Sequence, residues 1–479
     1  MMYSGISFYK YLLTKESKIY FLSALSIGII YFIVLRLVYP IPSYYSDSFT
    51  WVGAAQSGQP VTFRPVGYSK LMIFFKSFST SDVALIAAQF FTNLVVNLFL
   101  FCTCLYFFRF RKGFKILLFC LLIVNPFYAF YSDYISSDPF FCCFSVLWFT
   151  LLIWILHKPT WLLLVAQLIV LAALFELRYN AIFFPAISAL AVVLSKQSVA
   201  KKVSSIAVSV IIIVAIVAAT TYVTKKFTGI KTFSAFSGWQ LANDALHVMQ
   251  HKRIDTSKIK DKEIKQLTNF TQNFLEVNKK AFPDSGATAV FMWHINSPLK
   301  KYMKVYDRKS KSYFKIWNEL GPVYSKFGRT IILQNPVSYV RHFVLPNVRA
   351  YFFPPLEIYE TYMEHRDTIA AVAQKFYQYK SNKTPPHRPA LYAAIFNPTL
   401  YLFIAVNIFF IVFGIEYFFS KRYKSKPLLY NHTLLCFTAF YLANFFFIVL
   451  LAPSVFRYHI FILTLSFPII LYLVQEKIS

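Results

Sequence analysis

Residues 19 to 38 read IYFLSALSIGIIYFIVLRLV, an unbroken run in which Arg36 is the one charged side chain. A helix needs about 20 mostly apolar residues to cross the roughly 30 Å hydrocarbon core of a bilayer. The run does not alternate in polarity as a barrel strand would, and only helices and closed barrels satisfy the backbone in lipid. The stretch therefore predicts a membrane-spanning helix and decides the fold class.

Runs of the same kind recur along most of the chain. The predicted spans lie near residues 19–38, 83–107, 116–131, 139–156, 161–177, 181–195, 203–223, 399–419, 431–451 and 459–475. With 57% hydrophobic and 14% charged residues, and a mean hydropathy of +0.51, the composition excludes a soluble protein. We expect an all-α polytopic membrane protein with about ten transmembrane helices.

The net charge of +29 indicates membrane orientation and no nucleic-acid partner, because no basic run accompanies a recognisable binding module. Lys and Arg follow the even-numbered spans, which predicts cytoplasmic N- and C-termini. The first span is preceded by Lys10, Lys15 and Lys18 and lacks a small-residue cleavage pattern, so we expect an uncleaved anchor. A composition rich in Lys and Phe and poor in Gly favours a bacterial plasma membrane.

The spacing of the spans divides the chain into three segments. Residues 1–223 hold seven spans, residues 224–398 form a Lys-rich soluble insertion on the extracytoplasmic face, and residues 399–479 hold three more spans. No internal repeat is visible, which argues against an inverted-repeat transporter.

The first external loop, residues 39–82, contains two polar stretches in aromatic surroundings. They read Tyr45-Ser46-Asp47-Ser48-Phe49-Thr50-Trp51 and Phe63-Arg64-Pro65-Val66-Gly67-Tyr68. A carboxylate and an arginine at a bilayer surface suit a ligand that is both polar and lipid-borne. In the alternative interpretation Asp47 caps a helix at 48–55, Arg64 is merely interfacial, and Pro65 with Gly67 forms a turn.

Further polar residues are expected on the same face. Asp138 ends the short loop 132–138, where it is either a helix cap before Pro139 or part of a site. Arg178 and the pair Arg457-Tyr458 lie at the external ends of spans. Each arginine either extends to the interface, with Glu176 as a simple partner for Arg178, or binds a lipid-linked phosphate.

No cofactor is expected from the remaining motifs. His247 and His251 have a spacing that can bind zinc, but no third ligand is in evidence. All six cysteines fall inside predicted spans, where they are expected to be small buried apolar residues.

The order of these residues resembles the GT-C superfamily of integral-membrane glycosyltransferases, particularly the branch of protein O-mannosyltransferases and bacterial lipid A aminoarabinose transferases. Members typically carry an acid after the first span, an Arg-Pro-Pro-Gly-Tyr-Pro-like stretch, and a Ser-acid pair at the fourth span. Here those positions are Asp47, Arg64 to Tyr68, and Ser137-Asp138. Val66 and Ser69 replace the two later prolines. A single acid stands where many relatives have a pair, so the pattern does not support a divalent metal.

The resemblance implies a GT-C-like fold and transfer of a sugar from a polyprenyl-phosphate donor to a glycan, lipid or protein acceptor, with inversion. It implies that Asp47 acts as general base with a pKa raised by burial. Arg178, Arg457 and Arg64 would stabilise the leaving phosphate, and Asp138 would orient a substrate hydroxyl. Tyr68 and Tyr458 would bind substrate beside them, and the insertion would select the acceptor.

Two other functions remain open at this point. A lipid-linked oligosaccharide polymerase, ligase or flippase would share the aromatic loops and the arginines, but it would not require Asp47 and Asp138 near their spans. A transporter would favour charged residues at mid-span, and few are present.

Overall fold

The architecture is built from helices and their connections. A computed structural model describes residues 5–282, 286–306 and 313–478. Over these ranges the only β pairing consists of two isolated bridges, between Ser43 and Tyr134 and between Thr368 and Lys383. The expected all-α class is confirmed.

The helices follow the apolar runs closely. The first part of the chain contains α1 (Phe8–Leu12), α2 (Lys15–Val38), α3 (Ser46–Ser57), α4 (Gly67–Phe78), α5 (Val83–Phe107), α6 (Lys112–Phe119), α7 (Phe127–Ser132), α8 (Asp138–His157), α9 (Trp161–Leu177), α10 (Phe184–Leu194) and α11 (Val199–Thr228). The insertion contains α12 (Phe236–Met249), α13 (Lys262–Val277), α14 (Val290–Trp293), α15 (Pro298–Tyr306), α16 (Tyr313–Gln334), α17 (Pro336–Tyr339), α18 (Leu345–Phe352) and α19 (Ala371–Tyr377). The last part contains α20 (Pro389–Phe419), α21 (Leu428–Leu451) and α22 (Ile460–Ile478).

Short helical segments of other types join these elements. Two π-helical segments are Cys120–Val124 and Val340–Val344. The 3-10 segments are Tyr179–Phe183, Thr256–Lys258, Glu357–Tyr359, Tyr362–His365, Arg422–Lys424 and Phe456–Tyr458.

Eight helices of the described chain are long and apolar enough to cross a membrane, which makes this a multi-pass membrane protein. They are α2, α5, the continuous stretch Lys112–Ser132, α8, α11, α20, α21 and α22. The other two predicted spans are helical but shorter, at Trp161–Leu177 and Tyr179–Leu194. The predicted number of ten spans is therefore not confirmed.

Helix α8 is the centre of the bundle. Within its apolar window 89% of the residues are buried, against 17% in α2 and 11% in α11, so the last two form the outer wall. Ser188 of α10 receives hydrogen bonds from Trp148 of α8 at 3.1 Å and from Gln167 of α9 at 2.8 Å. Because such buried polar bonds fix the register of packed helices, α8 presents its first residue, Asp138, at a defined point.

The insertion is built in two parts, which differs from the single domain expected at 224–398. Helices α12 to α16 surround a second apolar core that contains Trp239 and Trp317. Residues 351–377 instead pack into the core of the membrane helices. The flanking helices also reach into the expected domain, since α11 ends at Thr228 and α20 begins at Pro389.

Glycines bring α12 and α16 into close contact. A Cβ atom at Gly238 would meet the carbonyl oxygen of Gly321, and one at Gly328 would meet the backbone of Leu241. Small residues at a helix interface let two backbones approach closely, and here they form the rigid base of the insertion.

The cysteines are all free thiols. Five are buried as expected, but Cys120 is exposed. It is the first residue of the π-helical segment between α6 and α7.

Candidate active site

A cavity of about 120 Å³ lies where the first loop meets the start of α8, the end of α9, the 3-10 segment Phe456–Tyr458 and the insertion. Four charged residues line it, namely Asp47, Arg64, Arg178 and Arg457. Its aromatic wall consists of Trp51, Phe63, Tyr179, Phe236, Trp293 and Tyr458. The structure therefore brings together most of the residues singled out from the sequence.

Asp47 binds arginines and does not cap a helix. Helix α3 begins earlier than expected, and at its start the backbone N–H of Tyr45 donates to Ser48 Oγ at 3.1 Å. The Asp47 carboxylate instead accepts a hydrogen bond from Arg64 Nη2 at 2.6 Å and lies 3.5 Å from Arg457 Nη1. The interpretation of Asp47 as a cap is wrong.

The ionisation of Asp47 also differs from the expectation. Burial alone would raise its pKa, but the charge and hydrogen bond of Arg64, with Arg457 and Arg178 nearby, lower the pKa of Asp47 to about 2. The carboxyl group is therefore ionised at neutral pH. The raised pKa expected for a general base is therefore wrong for this arrangement.

Arg64 is positioned by the insertion. The preceding residues Val61 and Phe63 pack into the insertion's own core, and Asn318 donates to Thr62 Oγ1 at 2.6 Å. The guanidinium group then lies over Trp51, with its carbon 5.0 Å from the ring centroid, and 5.7 Å from the centroid of Trp293. Since aromatic faces attract cations, both rings stabilise the guanidinium.

Gly67, in the same motif, allows a close backbone contact. A Cβ at this position would meet the carbonyl oxygen of Glu176, near the end of α9. The contact fixes the start of α4 against the turn that carries Arg178.

We expect Gly67→Ala to destabilise the protein by about 1–3 kcal/mol, the usual cost of forcing an extra group into a packed site. Thermal unfolding in detergent measures the effect. Gly414→Ala in α20 is the matched control, because no atom lies within 4 Å of its Cβ position. Equal stability of the two variants would show that the contact at Gly67 is not tight.

Asp138 forms an ion pair with Arg178 behind the cavity wall. The Asp138 side chain is 2% exposed and its Oδ1 contacts Arg178 Nη1. Its Oδ2 accepts from Ser136 Oγ at 2.9 Å. Asp138 itself does not line the cavity, so it positions Arg178 and does not touch a ligand there. The suggested partner Glu176 lies instead 3.7 Å from Lys70.

Arg457 joins two carboxylates. Its Nη1 faces Asp47, and its Nε lies 3.6 Å from Glu357 Oε2. The side chain also donates from Nη2 to the Tyr458 hydroxyl at 3.2 Å. Tyr458 in turn lies under the Arg178 guanidinium, 4.9 Å from ring centroid to Cζ.

Glu357 was not found from the sequence. It follows Pro354 and Pro355, and no periodic pattern marks it. Burial raises its pKa, against the opposing effect of Arg457. Its backbone has a φ of 50°, and Met363, Glu364 and His365 also have positive φ. Strained non-glycine residues of this kind concentrate at functional sites.

Tyr68 lies outside the cavity. Its ring is fully buried, and its hydroxyl donates to Gln89 Oε1 at 2.8 Å. Gln89 Nε2 then donates to the carbonyl oxygens of Ser132 and Tyr134. Tyr68 thus holds the second loop in place, and the structure gives it no position from which to bind substrate in this cavity.

Three buried N–H groups of the cavity residues have no hydrogen-bond partner within the described chain. They are Trp51 Nε1, Arg64 Nε and Arg457 Nε. These three donors are therefore available to an anionic or strongly accepting ligand. No cluster of three or more His, Cys, Asp or Glu side chains suited to a metal occurs in the described residues.

A second, larger groove adjoins the cavity. It has a volume of about 340 Å³ and runs between the first loop, α4 and α11. The two spaces share Arg64, Pro65 and Tyr179. Beyond Arg64 its wall is mainly apolar, with Val66, Ile73, Ala219, Val223 and Phe227.

The fold and the site together define a polytopic helical membrane protein with an arginine-rich cavity at the junction of its helices and its insertion. Comparison of the chain with protein-family models, with curated proteins and with solved structures finds no match.

Proposed function

We propose that the protein is a membrane glycosyltransferase of the GT-C type, which transfers a sugar from a polyprenyl-phosphate donor to an acceptor on the extracytoplasmic face. The observation that carries the proposal is the cavity itself. It combines one ionised carboxylate, three arginines and three buried N–H groups that have no hydrogen-bond partner in the described chain. A phosphodiester would satisfy those donors, and an acceptor hydroxyl or amine would bind the carboxylate.

The neighbouring groove supports a lipid-linked donor. In such a molecule the phosphate joins the prenyl chain to the sugar. Arg64 stands at the corresponding point, because it lines both the apolar groove beside α11 and the polar cavity. The prenyl chain would lie in the groove, the phosphate at Arg64 and the sugar in the cavity.

In the proposed reaction the acceptor oxygen or nitrogen attacks the anomeric carbon. The new bond to the acceptor forms as the bond from that carbon to the phosphate oxygen breaks. Asp47 takes the acceptor proton, and polyprenyl phosphate leaves with the electron pair. Arg64, Arg178 and Arg457 stabilise its charge, and inversion is the stereochemistry that the resemblance implies.

The donor would also activate the base. Each arginine already has a carboxylate partner, with Asp47 facing Arg64 and Arg457. A bound phosphate competes for those guanidinium groups and so weakens the interactions that keep the pKa of Asp47 low. Asp47 therefore becomes a stronger base once the donor is in place.

Activation of Asp47 by the donor predicts that the pH profile of kcat/KM differs from the pH profile of kcat. Because the pKa of Asp47 is lowered to about 2, its ionised form is present above about pH 4 and is lost only as the pH falls through its folded value. We expect kcat/KM, which reports the free enzyme, to show no acid limb from Asp47 above about pH 5. The acid limb of kcat, which reports the enzyme with its donor bound, should lie at a higher pH than the acid limb of kcat/KM. An acid limb in kcat/KM near pH 6 that Asp47→Asn removes would contradict the assignment.

Binding in lipid nanodiscs tests the proposal directly. We expect the protein to bind polyprenyl phosphate at least tenfold more tightly than the uncharged polyprenol, because only the phosphate engages the arginines. In native membranes that supply the acceptor, the protein should then release polyprenyl phosphate from a polyprenyl-phosphate sugar. Equal affinity for the phosphate and the alcohol would refute a phosphate site.

A further inference from the structure

Two aromatic side chains of the insertion reach the cavity. Phe236, the first residue of α12, and Trp293, the last residue of α14, both line it. Their ring centroids lie 6.0 Å apart. The other lining residues lie within residues 1–223 and 399–479, so these two rings are the insertion's direct contribution.

Trp293 is held rigidly from behind. Its ring lies nearly parallel to Trp317, at 18° and 5.7 Å between centroids. Trp317 stacks in turn on Trp239 at 3.8 Å and 5°. The Lys300 ammonium nitrogen lies over Trp317, 4.0 Å from the centroid, and Tyr313 accepts its hydrogen bond. This stack is supported by the close-packed pair of α12 and α16.

The three stacked tryptophans differ in their exposed fraction, which distinguishes core residues from a residue that can bind a ligand. Trp239 and Trp317 are fully buried, as members of an apolar core should be. Trp293 is 40% exposed although it joins the same stack. A large ring that is packed on one side and still partly exposed, beside the Arg64 guanidinium, can bind a flat, partly apolar group.

We propose that Trp293, a residue of the insertion, stacks on the sugar ring of the lipid-linked donor and so strengthens binding of the sugar-loaded carrier. The inference rests on the proposed function and adds to it the residue that distinguishes a sugar-loaded carrier from a bare one.

The position of Arg64 indicates that the group in contact with Trp293 is the donor sugar and not the acceptor. Its guanidinium carbon is 5.7 Å from the Trp293 ring centroid, and the same side chain borders the apolar groove on its other side. A group that contacts Trp293 is therefore next to a phosphate at Arg64. In the donor, the unit bonded directly to the phosphate is the sugar.

The test compares two ligands on the same protein in nanodiscs. The probes are bare polyprenyl phosphate and polyprenyl-phosphate mannose, glucose or galactose, and the variant is Trp293→Ala. We expect the variant to bind its preferred sugar-loaded lipid about three- to tenfold more weakly, the usual range for one aromatic contact. Binding of the bare carrier should stay within about twofold of wild type. Trp161→Ala, which removes a 63% exposed tryptophan at the start of α9, is the matched control.

The outcomes separate this inference from the proposed function. If wild type binds none of the lipids, both are overturned. If wild type binds the carrier but Trp293→Ala keeps the full preference for the sugar-loaded form, the inference alone is wrong. If Trp293→Ala also loses the bare carrier, Trp293→Phe is measured. Its smaller ring should weaken sugar-loaded binding about threefold with the carrier unchanged, and an unchanged preference there overturns the assignment.

Discussion

Asp47→Asn should lower sugar transfer about 10²- to 10⁴-fold, the usual contribution of a general base. The substitution keeps the shape of the side chain and an oxygen that can accept from Arg64, but it removes the site that takes the proton. Expression and thermal unfolding should therefore change much less than the rate. Release of polyprenyl phosphate from the donor in membranes containing the acceptor measures the rate.

The matched control for this variant is Glu364→Gln. Glu364 also pairs with an arginine, Arg366, at 2.8 Å, and it does not line the cavity. Its substitution should leave transfer within about twofold of wild type, as surface changes usually do. Transfer by Asp47→Asn at the rate of this control would remove Asp47 as the base.

Arg178→Ala should have the largest effect on stability. It leaves the Asp138 carboxylate, whose side chain is 2% exposed, without its cation. Removing one partner of a buried ion pair typically costs about 3–5 kcal/mol, because an uncompensated charge remains buried. We expect a clear fall in the thermal unfolding temperature in detergent, together with loss of transfer and weaker binding of polyprenyl phosphate.

A double variant separates the two roles of Arg178. Arg178→Met with Asp138→Asn removes both charges and keeps an acceptor for Ser136, so most of the stability should return. Transfer should remain at least about 100-fold below wild type, since the phosphate has lost one of its cations. Wild-type transfer by the double variant would show that the ion pair is purely structural.

The membrane helices were predictable because long apolar runs have few structural alternatives. All ten predicted runs are helical, from the first at Lys15–Val38 to the last at Ile460–Ile478. The count of ten spans is not confirmed at α9 and α10. Both helices are apolar, but α9 has 17 residues, and α10 has 11 residues after the 3-10 segment Tyr179–Phe183.

The ends of the spans also indicated much of the site. Asp47, Arg64, Arg178 and Arg457 meet at one cavity, as expected for charged residues at the same face of a bundle. Their partners were not predictable. Arg178 has an extended backbone after the last turn of α9, which directs it to Asp138 and away from Glu176. The fully buried Tyr68 gave no sign in the sequence that it would face Gln89.

The contribution of the insertion could not be foreseen. Trp293 and Glu357 come from a segment far along the chain from the first loop, and neither belongs to a periodic pattern. Contacts between distant segments depend on tertiary packing, which a single sequence does not reveal. The lowered pKa of Asp47 has the same origin, because it depends on Arg457 as well as on the nearby Arg64.

The exposed wall formed by α11 has a consequence for kinetics. Only 11% of its apolar window is buried, and Ala219, Val223 and Phe227 of this helix border the groove. A long-chain substrate that enters beside α11 arrives by sideways diffusion within the lipid sheet. The quantity that governs saturation is then the number of donor molecules per unit of membrane area. Diluting the vesicles in buffer should leave the rate per enzyme unchanged, and diluting the donor with inert phospholipid should lower it.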